Sequence, residues 1–556
     1  MSSEEPQEEE FSIHWIRDVV NKVLERDVDT YLISSGKSPS GSIHIGIVRE
    51  LIICDVIKRE LKRMGKKART VFVVDDFDPL RSLPPSTGLP LETWIGIPYS
   101  DIPDEFGCCD SFGDHWANEL IETFPAFGVD PEVVWTHKLY ETPEMIDVVR
   151  TCLRETETIR KIMVEFVAGD FEEEQSEEYT TSMKDWYPAS VVCPECGRLQ
   201  SGAKGHILPN RITGYNLKKD TVTFECKACG TSGEFPLTEV RVKLVWRVDW
   251  PAKWYVLGVT CEPAGKDHAV KGGSYDTGLE VSRRVFKWPG PVKVAYEWVR
   301  IGGRDMSTSE GIVFTPRSWM EVAPPELYRY LMLKTDLSRA INIQPDRIPE
   351  LIDEYERFER VYYGIEDATN DKRELARLLY PLCVTGPLRK QYIPKLSFRF
   401  AVMTSQMVDL LGMPAVMSRC EQVLKKQYGL EVVPPQAKAL IPARLNMAKN
   451  WALEFGSESD RIEITDRVPK EVIESLTADD KKFLSAMLSV LEGDELDDET
   501  LQSQVFEQAR KAGLKEKRAF VVMYRVLTSR KYGPRLGSFL NLLGYDWVAE
   551  RVRSVL

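Results

Sequence analysis

Nowhere in the 556 residues does an unbroken apolar run reach the roughly 18–20 residues that a membrane-crossing helix needs, so a helical membrane protein is excluded. A signal peptide is also missing: residues 1–10 (MSSEEPQEEE) are acidic where a leader would be basic and then apolar, which implies a disordered acidic tail and a cytoplasmic location. An excess of positive charge is absent, and the formal net charge of −13 rules out a generally adhesive nucleic-acid surface while leaving room for local basic faces. No internal repeat is visible. A disulfide framework is lacking as well. Of the 11 cysteines, six fall into two tight groups, and Cys54, Cys152, Cys261, Cys383 and Cys420 are scattered among apolar neighbours, the pattern of metal ligands and buried thiols in a reducing compartment.

What is present begins with residues 31–64. Residues 31–34 read as a short strand, 35–41 as a turn of small residues around Pro39, and from Ser42 apolar residues recur at helical spacing (Val48, Leu51, Ile52, Val56, Leu61). A helix N-terminus carries unpaired N–H groups and positive dipole charge, so a small-residue loop before it invites a phosphate. Gly41 and Gly46 leave room for close approach, and His44 can donate to a phosphoryl oxygen. The constellation Pro39-Ser40-Gly41-x-x-His44-Ile45-Gly46 resembles the HIGH signature of class I aminoacyl-tRNA synthetases and related nucleotidyltransferases; a helix cap with an incidental histidine is the alternative.

Downstream, residues 70–74 (TVFVV) read as a buried strand ending in Asp75, Asp76 and Asp78, carboxylates that suit a cationic ligand or Mg²⁺, or else a solvated acidic turn. Residues 102–116 offer Asp104, Cys108, Cys109 and His115, either a zinc-wrapping loop or two core cysteines with polar neighbours. Cys193-x-x-Cys196 and Cys226-x-x-Cys229, each followed by glycine, form paired knuckles with the ligand set of a structural zinc ribbon, which leaves His206 between them outside the tetrahedron. The acidic stretch 169–178 reads as a solvated loop. Residues 243–254 (KLVWRVDWPAKW) have strand-like composition. The polar run that follows, with Lys266, Asp267, His268, Gly272 and Gly273, suits ribose and phosphates, and residues 291–296 read as a further strand.

Taken together, DDFDPLR at 75–81, the 104–115 loop, WRVDWPAKW, GKDHAVKGGSYDTG, the Met306-Ser307-x-Ser309 loop and the late YGPRLGSFL resemble the class I lysyl-tRNA synthetases, from about Trp15 to the C-terminus. The resemblance implies a multidomain chain: an α/β Rossmann-like parallel-sheet catalytic domain (11–100 and 243–315) split by a zinc-bearing insertion (101–242). A stem-contact helical connector (316–400) and an all-α anticodon-binding region (401–556) would follow. The implied activity is ligation of lysine to tRNA(Lys) with ATP going to AMP and diphosphate. Mg²⁺ would accompany the ATP and two Zn²⁺ sites would be filled. His44, Gly46, Met306, Ser307, Thr308 and Ser309 would be catalytic. Pro39, Ser40, Gly41, Lys266, Asp267, Gly272 and Thr308 would also hold ATP. Gly36, Ser38, Trp246, His268 and Tyr296 would hold lysine, with Asp75 or Asp76 as our candidate for its ε-ammonium. Arg518, Arg525, Arg530, Lys531 and Arg535 could face RNA phosphates, with Tyr524 and Tyr532 stacking on bases.

The chain departs from the family pattern at several positions. Cys109 replaces a histidine in the first zinc loop, a swap between two good ligands. Ile47 cannot donate to phosphate, and the mobile loop carries Asp305, Thr308 and Glu310 where basic residues are expected. The alternatives are therefore a catalytically impaired paralogue that binds tRNA or amino acid, or an enzyme for glutamate or arginine; the acidic cluster disfavours glutamate.

Overall fold

The structure is a computed structural model that describes residues 14–84, 86–167, 173–202, 206–306, 314–462 and 464–556. They divide into two compact units, one made of the described residues within Met1–Trp319, Tyr328–Ile343 and Leu378–Leu388, the other of those within Met320–Leu327, Gln344–Arg377 and Arg389–Leu556.

The first unit is built on a five-stranded parallel sheet: β1 (Thr30–Lys37), β2 (Lys67–Val74), β3 (Glu132–Trp135), β4 (Cys261–Gly265) and β5 (Val292–Tyr296), in the order β5-β4-β1-β2-β3. The apolar run in β1 is buried on both faces, as a central parallel strand requires. From β1 the chain winds outward through β2 to β3, then returns to β4 on the other side of β1. That reversal puts a topological switch point between β1 and β4, where the carboxyl ends of open α/β sheets bind ligands.

Helix α1 (Gly46–Arg63) joins β1 to β2, and it begins at Gly46 rather than at Ser42. The first four residues are diverted: the His44 ring accepts the Gly46 N–H, and the Ile45 N–H goes to the carbonyl of Phe314. The helix is buried nearly all round, charged residues included. Asp55 lies against Lys58, Arg59 and Arg329, and the fully buried Arg329 donates to Asp55 at 2.7 Å and to the carbonyls of Leu382 and Phe127 at 2.8 and 2.9 Å. Replacing Arg329 with Leu strands two carbonyls and unbalances a buried carboxylate, so it should destabilise this unit by about 3–5 kcal/mol in urea unfolding.

The insertion expected at 101–242 lies between β3 and β4 instead, because Glu132–Trp135, within that stretch, pairs with β2 as a strand of the central sheet. Its helices Pro143–Arg154 and Thr156–Val167 share one apolar core with a three-stranded antiparallel sheet (Ile212–Asn216, Thr221–Glu225, Ser232–Pro236) and with the strand pair Ala189–Val191 and Val242–Leu244. From Glu173 the acidic stretch is helical to Ser182 rather than a loop. Residues 246–257 are also not a strand. Only Val242–Leu244 pairs; Trp246–Leu257 is a helix, α2, despite Pro251 inside it. Tryptophan and valine gave this segment its β-like composition, but Val248, Trp250, Pro251, Ala252 and Trp254 find burial on a helix, and tertiary packing overrides propensity. Gly258 closes the helix in the left-handed conformation.

The regular elements described in the second unit are helices, with Ile348–Tyr362, Met413–Tyr428, Pro435–Glu454, Ala478–Leu491, Asp498–Lys511 and Glu516–Thr528 among the longer ones.

Candidate active site

A cavity of about 1010 Å³ opens at the switch point, lined by the ends of β1, β4 and β5, the start of α1 and one face of α2. On its α1 side, Nδ1 of His44 accepts the Gly46 N–H at 3.2 Å, which leaves the proton on Nε2. Burial and the charge of Lys37 push the His44 pKa down to about 4, so the ring is a neutral donor. Gly46 is required at this point, because a Cβ there would lie 2.8 Å from His44 Nδ1.

One turn further along the same helix face, the buried Glu50 accepts from the Gly36 N–H at 3.3 Å and from the Tyr296 hydroxyl at 2.5 Å. Burial, helped by Glu262, raises its pKa to about 8 against the opposing hydrogen bonds. Opposite it stands an aromatic wall. Trp246 stacks on Trp250 at 4.9 Å, and His268 lies 5.9 Å from Trp246 with its Nδ1 2.9 Å from the Ser274 hydroxyl. Glu262 receives the indole N–H groups of Trp250 at 2.6 Å and Trp254 at 2.9 Å.

The acidic run at the end of β2 does not serve as an open cation site. Asp75 is paired with Lys253 and accepts from Thr136; Asp76 is fully buried and takes the backbone N–H and ring of His137. Asp78 accepts from the Ser38 hydroxyl at 3.0 Å and lies 3.3 Å from Lys243, which with Lys253 also holds Asp249. The cations read into this cluster from sequence are thus Lys243 and Lys253 of the chain itself. Asp76 is taken up by His137, and Asp75, which lines the cavity, already holds a cation of the chain on its Oδ1.

Of the expected site residues, Gly36, Ser38, Ser40, His44, Gly46, Asp75, Trp246, Asp267, His268, Tyr296 and Met306 line the cavity. Pro39, Gly41, Asp76, Lys266 and Gly272 are not among its lining. Lys266 is turned to Glu297 at 2.8 Å and sits over the Trp298 ring, and the Gly272 N–H donates to Asp276. Asp305 lines the cavity with its charge met by Arg300 at 2.7 Å. Ser307, Thr308 and Ser309, with Glu310, lie outside the described residues. Sequence reasoning missed Glu50 and Lys37. The available signal was a carboxylate one turn after Gly46 on an otherwise apolar face, and a cation at the end of the central strand.

Two side-chain clusters could hold a metal ion. In the first, Cys193, Cys196, Cys226 and Cys229 converge, with Sγ atoms 3.6 Å apart across the pairs Cys193/Cys229 and Cys196/Cys226. A tetrahedron with Zn–S bonds of 2.3 Å has edges of about 3.8 Å, so the four thiols fit zinc. In the second, Asp104, Cys108, Cys109 and His115 converge; Cys108 Sγ is 3.4 Å from Cys109 Sγ and 3.1 Å from His115 Nδ1. Asp104 is fixed by the N–H groups of Phe106, Cys108 and Cys109.

In the second unit, Arg461, Arg525, Arg530, Lys531 and Tyr532 share a shallow basic depression with Glu458. Tyr524 cannot stack on a base, since it is buried with its hydroxyl on the Pro534 carbonyl. Arg518 is spent on the buried Asp480.

The family model of class I tRNA synthetases (K) matches residues 13–382. A lysine–tRNA ligase of Methanocaldococcus jannaschii is 32% identical over 97% of this chain and 99% of its own length. Those of Methanococcus maripaludis and Archaeoglobus fulgidus are 33% and 31% identical, over 97% and 98% of this chain and 99% and 100% of their own. A match across most of the chain, on a parallel sheet whose switch point opens beside the HIGH-like turn at His44, means that this chain belongs to the class I (K) tRNA synthetases.

Proposed function

We propose that the protein is a lysine–tRNA ligase, which activates lysine with ATP to lysyl-adenylate and transfers the lysyl group to tRNA(Lys). The observation that carries this reading is Glu50, a buried carboxyl in the cavity wall between the Gly36 N–H and the Tyr296 hydroxyl. Each carboxylate oxygen keeps a second lone pair, so Glu50 can still accept from an ε-ammonium. The aromatic surface of Trp246, Trp250 and His268 suits the four-carbon stem.

The lysine carboxylate would then reach towards His44, whose neutral Nε2–H can donate to a phosphoryl oxygen beside the N-terminus of α1. Attack on the α-phosphorus needs in-line position and charge neutralisation more than covalent chemistry. The loop beginning at Met306 would close over the departing diphosphate, and Arg300 reduces the repulsion that Asp305 would otherwise bring there. Mg²⁺ would arrive with the ATP.

Zinc at both clusters would act as a structural cross-link, with Cys193, Cys196, Cys226 and Cys229 as one ligand set and Asp104, Cys108, Cys109 and His115 as the other. The helical second unit would take the tRNA anticodon. Among the described residues no helix is long and apolar enough to cross a membrane, and we assign the enzyme to the cytoplasm. The test is lysine-dependent ATP–diphosphate exchange across the amino acids. Exchange with lysine alone is expected; exchange with any other amino acid and none with lysine overturns the reading.

A further inference from the structure

Three lysines line the cavity, and two of them are spent: Lys243 and Lys253 are locked to Asp78, Asp249 and Asp75. The third, Lys37, is the last residue of β1, the strand beside the switch point. Its backbone is held to β2 by the bond from the Asp75 N–H at 3.0 Å, which anchors it beside the cavity that its side chain lines. Its ammonium has no hydrogen-bond or ion-pair partner among the described residues. Glu50, whose charge acts on it, is bonded instead to Gly36 and Tyr296 and makes no hydrogen bond or ion pair with it. Lys37 therefore brings a cation with its donors unspent to a concave site, on a backbone that the sheet anchors.

Its surroundings place it between the two halves of the reaction. The Lys37 charge is felt by His44 on the nucleotide side and by His268 and Glu50 on the amino-acid side. Desolvation lowers its own pKa, with Glu50 and Asp75 opposing. An amino-acid carboxylate and an α-phosphate, both anionic, have to meet in that space. Negative charge then accumulates on the non-bridging oxygens of the phosphorus, and a desolvated cation there is worth far more than one in water.

We propose that Lys37 is a catalytic residue of this chain, its ammonium donating to a non-bridging oxygen of the ATP α-phosphate during adenylate formation. The bond formed is carboxylate oxygen to α-phosphorus. The bond broken is α-phosphorus to bridging oxygen, and diphosphate leaves with that electron pair. Lys37 keeps its proton throughout. The inference rests on the ligase reading, and it assigns to the rigid end of β1 a charge that the Asp305 and Glu310 positions of the loop do not bring.

The test uses the full-length, metal-loaded protein and its Lys37→Met and Lys37→Arg variants. Losing a charge-assisted bond should lower the single-turnover rate of adenylate formation roughly ten- to a hundred-fold in Lys37→Met. By calorimetry its affinity for AMP should drop by about tenfold while its affinities for adenosine and for lysine stay within about threefold. Lys37→Arg should recover part of the AMP affinity. Unchanged AMP affinity in Lys37→Met overturns the proposal. So does tighter lysine binding with an unchanged rate, which would make Lys37 an occupant of the amino-acid pocket. Native protein without lysine-dependent exchange would sink the ligase reading instead, and the AMP-against-adenosine comparison would still decide whether Lys37 meets the phosphate.

Discussion

Glu50→Gln should lower kcat/KM for lysine by about two to three orders of magnitude while leaving the KM for ATP within about threefold. Glutamine keeps the volume: its one oxygen can accept from the Gly36 N–H, and its amide N–H can donate to a Tyr296 hydroxyl that turns to accept, so the local structure has little reason to change. What disappears is the charge that meets the ε-ammonium. Removing one member of a buried, hydrogen-bonded ion pair costs about 2–5 kcal/mol, and tenfold corresponds to about 1.4 kcal/mol. A lysine kcat/KM within threefold of the native value would mean that another group holds the ammonium.

The same carboxyl sets a pH dependence. In the empty site burial raises Glu50 to about 8, so at neutral pH it is mostly protonated. Binding an ammonium favours the carboxylate, so a proton must leave as lysine binds. Affinity for lysine should therefore rise with pH, by up to about tenfold per unit below pH 8, and level off above it. Calorimetry at pH 6, 7 and 8 in two buffers of different ionisation enthalpy reads both the slope and the released proton. The slope should vanish in Glu50→Gln. Its persistence would move the proton to another buried carboxyl, of which Glu262, raised to about 7, is the nearest candidate in the cavity wall.

These residues also show where a sequence is legible. The strand-loop-helix around His44 could be read because its signals are local: an apolar run, a small-residue turn and helical periodicity. The two CxxC knuckles were legible for the same reason, since metal geometry restricts ligand spacing. Glu50 was not, because its role arises from a partner 246 positions away at Tyr296. Asp75 looked free because Lys253, its counter-ion, lies 178 positions downstream. The segment 246–257 misled through composition: its tryptophans favour a strand, yet their N–H groups are needed on Glu262, which a helix supplies by setting Trp250 and Trp254 one turn apart. Tyr524 looked available for stacking because nothing nearby in sequence announces that Pro534 caps its hydroxyl.

Removing the metal from the four-cysteine cluster should cost lysine activation as well as stability. Cys193 and Cys226 are buried in the apolar core of the insertion, and Asn210 joins the two knuckles by donating to the Arg198 carbonyl and accepting the Lys227 N–H. The strand just before the first knuckle, Ala189–Val191, pairs with Val242–Leu244, the strand that carries Lys243. Lys243 holds Asp249 at 2.6 Å and faces Asp78, which accepts the Ser38 hydroxyl in the cavity wall. Metal, strand pair and buried charge network are thus coupled in series to the loop that begins the HIGH-like turn. Structural zinc contributes folding free energy directly, about 10–16 kcal/mol in isolated fingers, so Cys196→Ser should release one metal per chain and disorder the lobe. With Lys243 no longer held, the buried Asp249 loses one of its two cations, a loss on the order of 3–5 kcal/mol. Metal stoichiometry by emission spectrometry, thermal unfolding and diphosphate exchange on one preparation test the chain of coupling. We expect the stoichiometry to fall from two to one, the melting temperature to drop and exchange to fall roughly tenfold or more. A Cys196→Ser protein that has lost this metal yet melts and exchanges like the native enzyme would uncouple the knuckles from the site. Cys108→Ser provides the contrast: it should release the other metal, whose ligands are Asp104, Cys108 and Cys109 in the loop before Phe112–Ile121 and His115 in that helix's first turn, without touching the strand that carries Lys243.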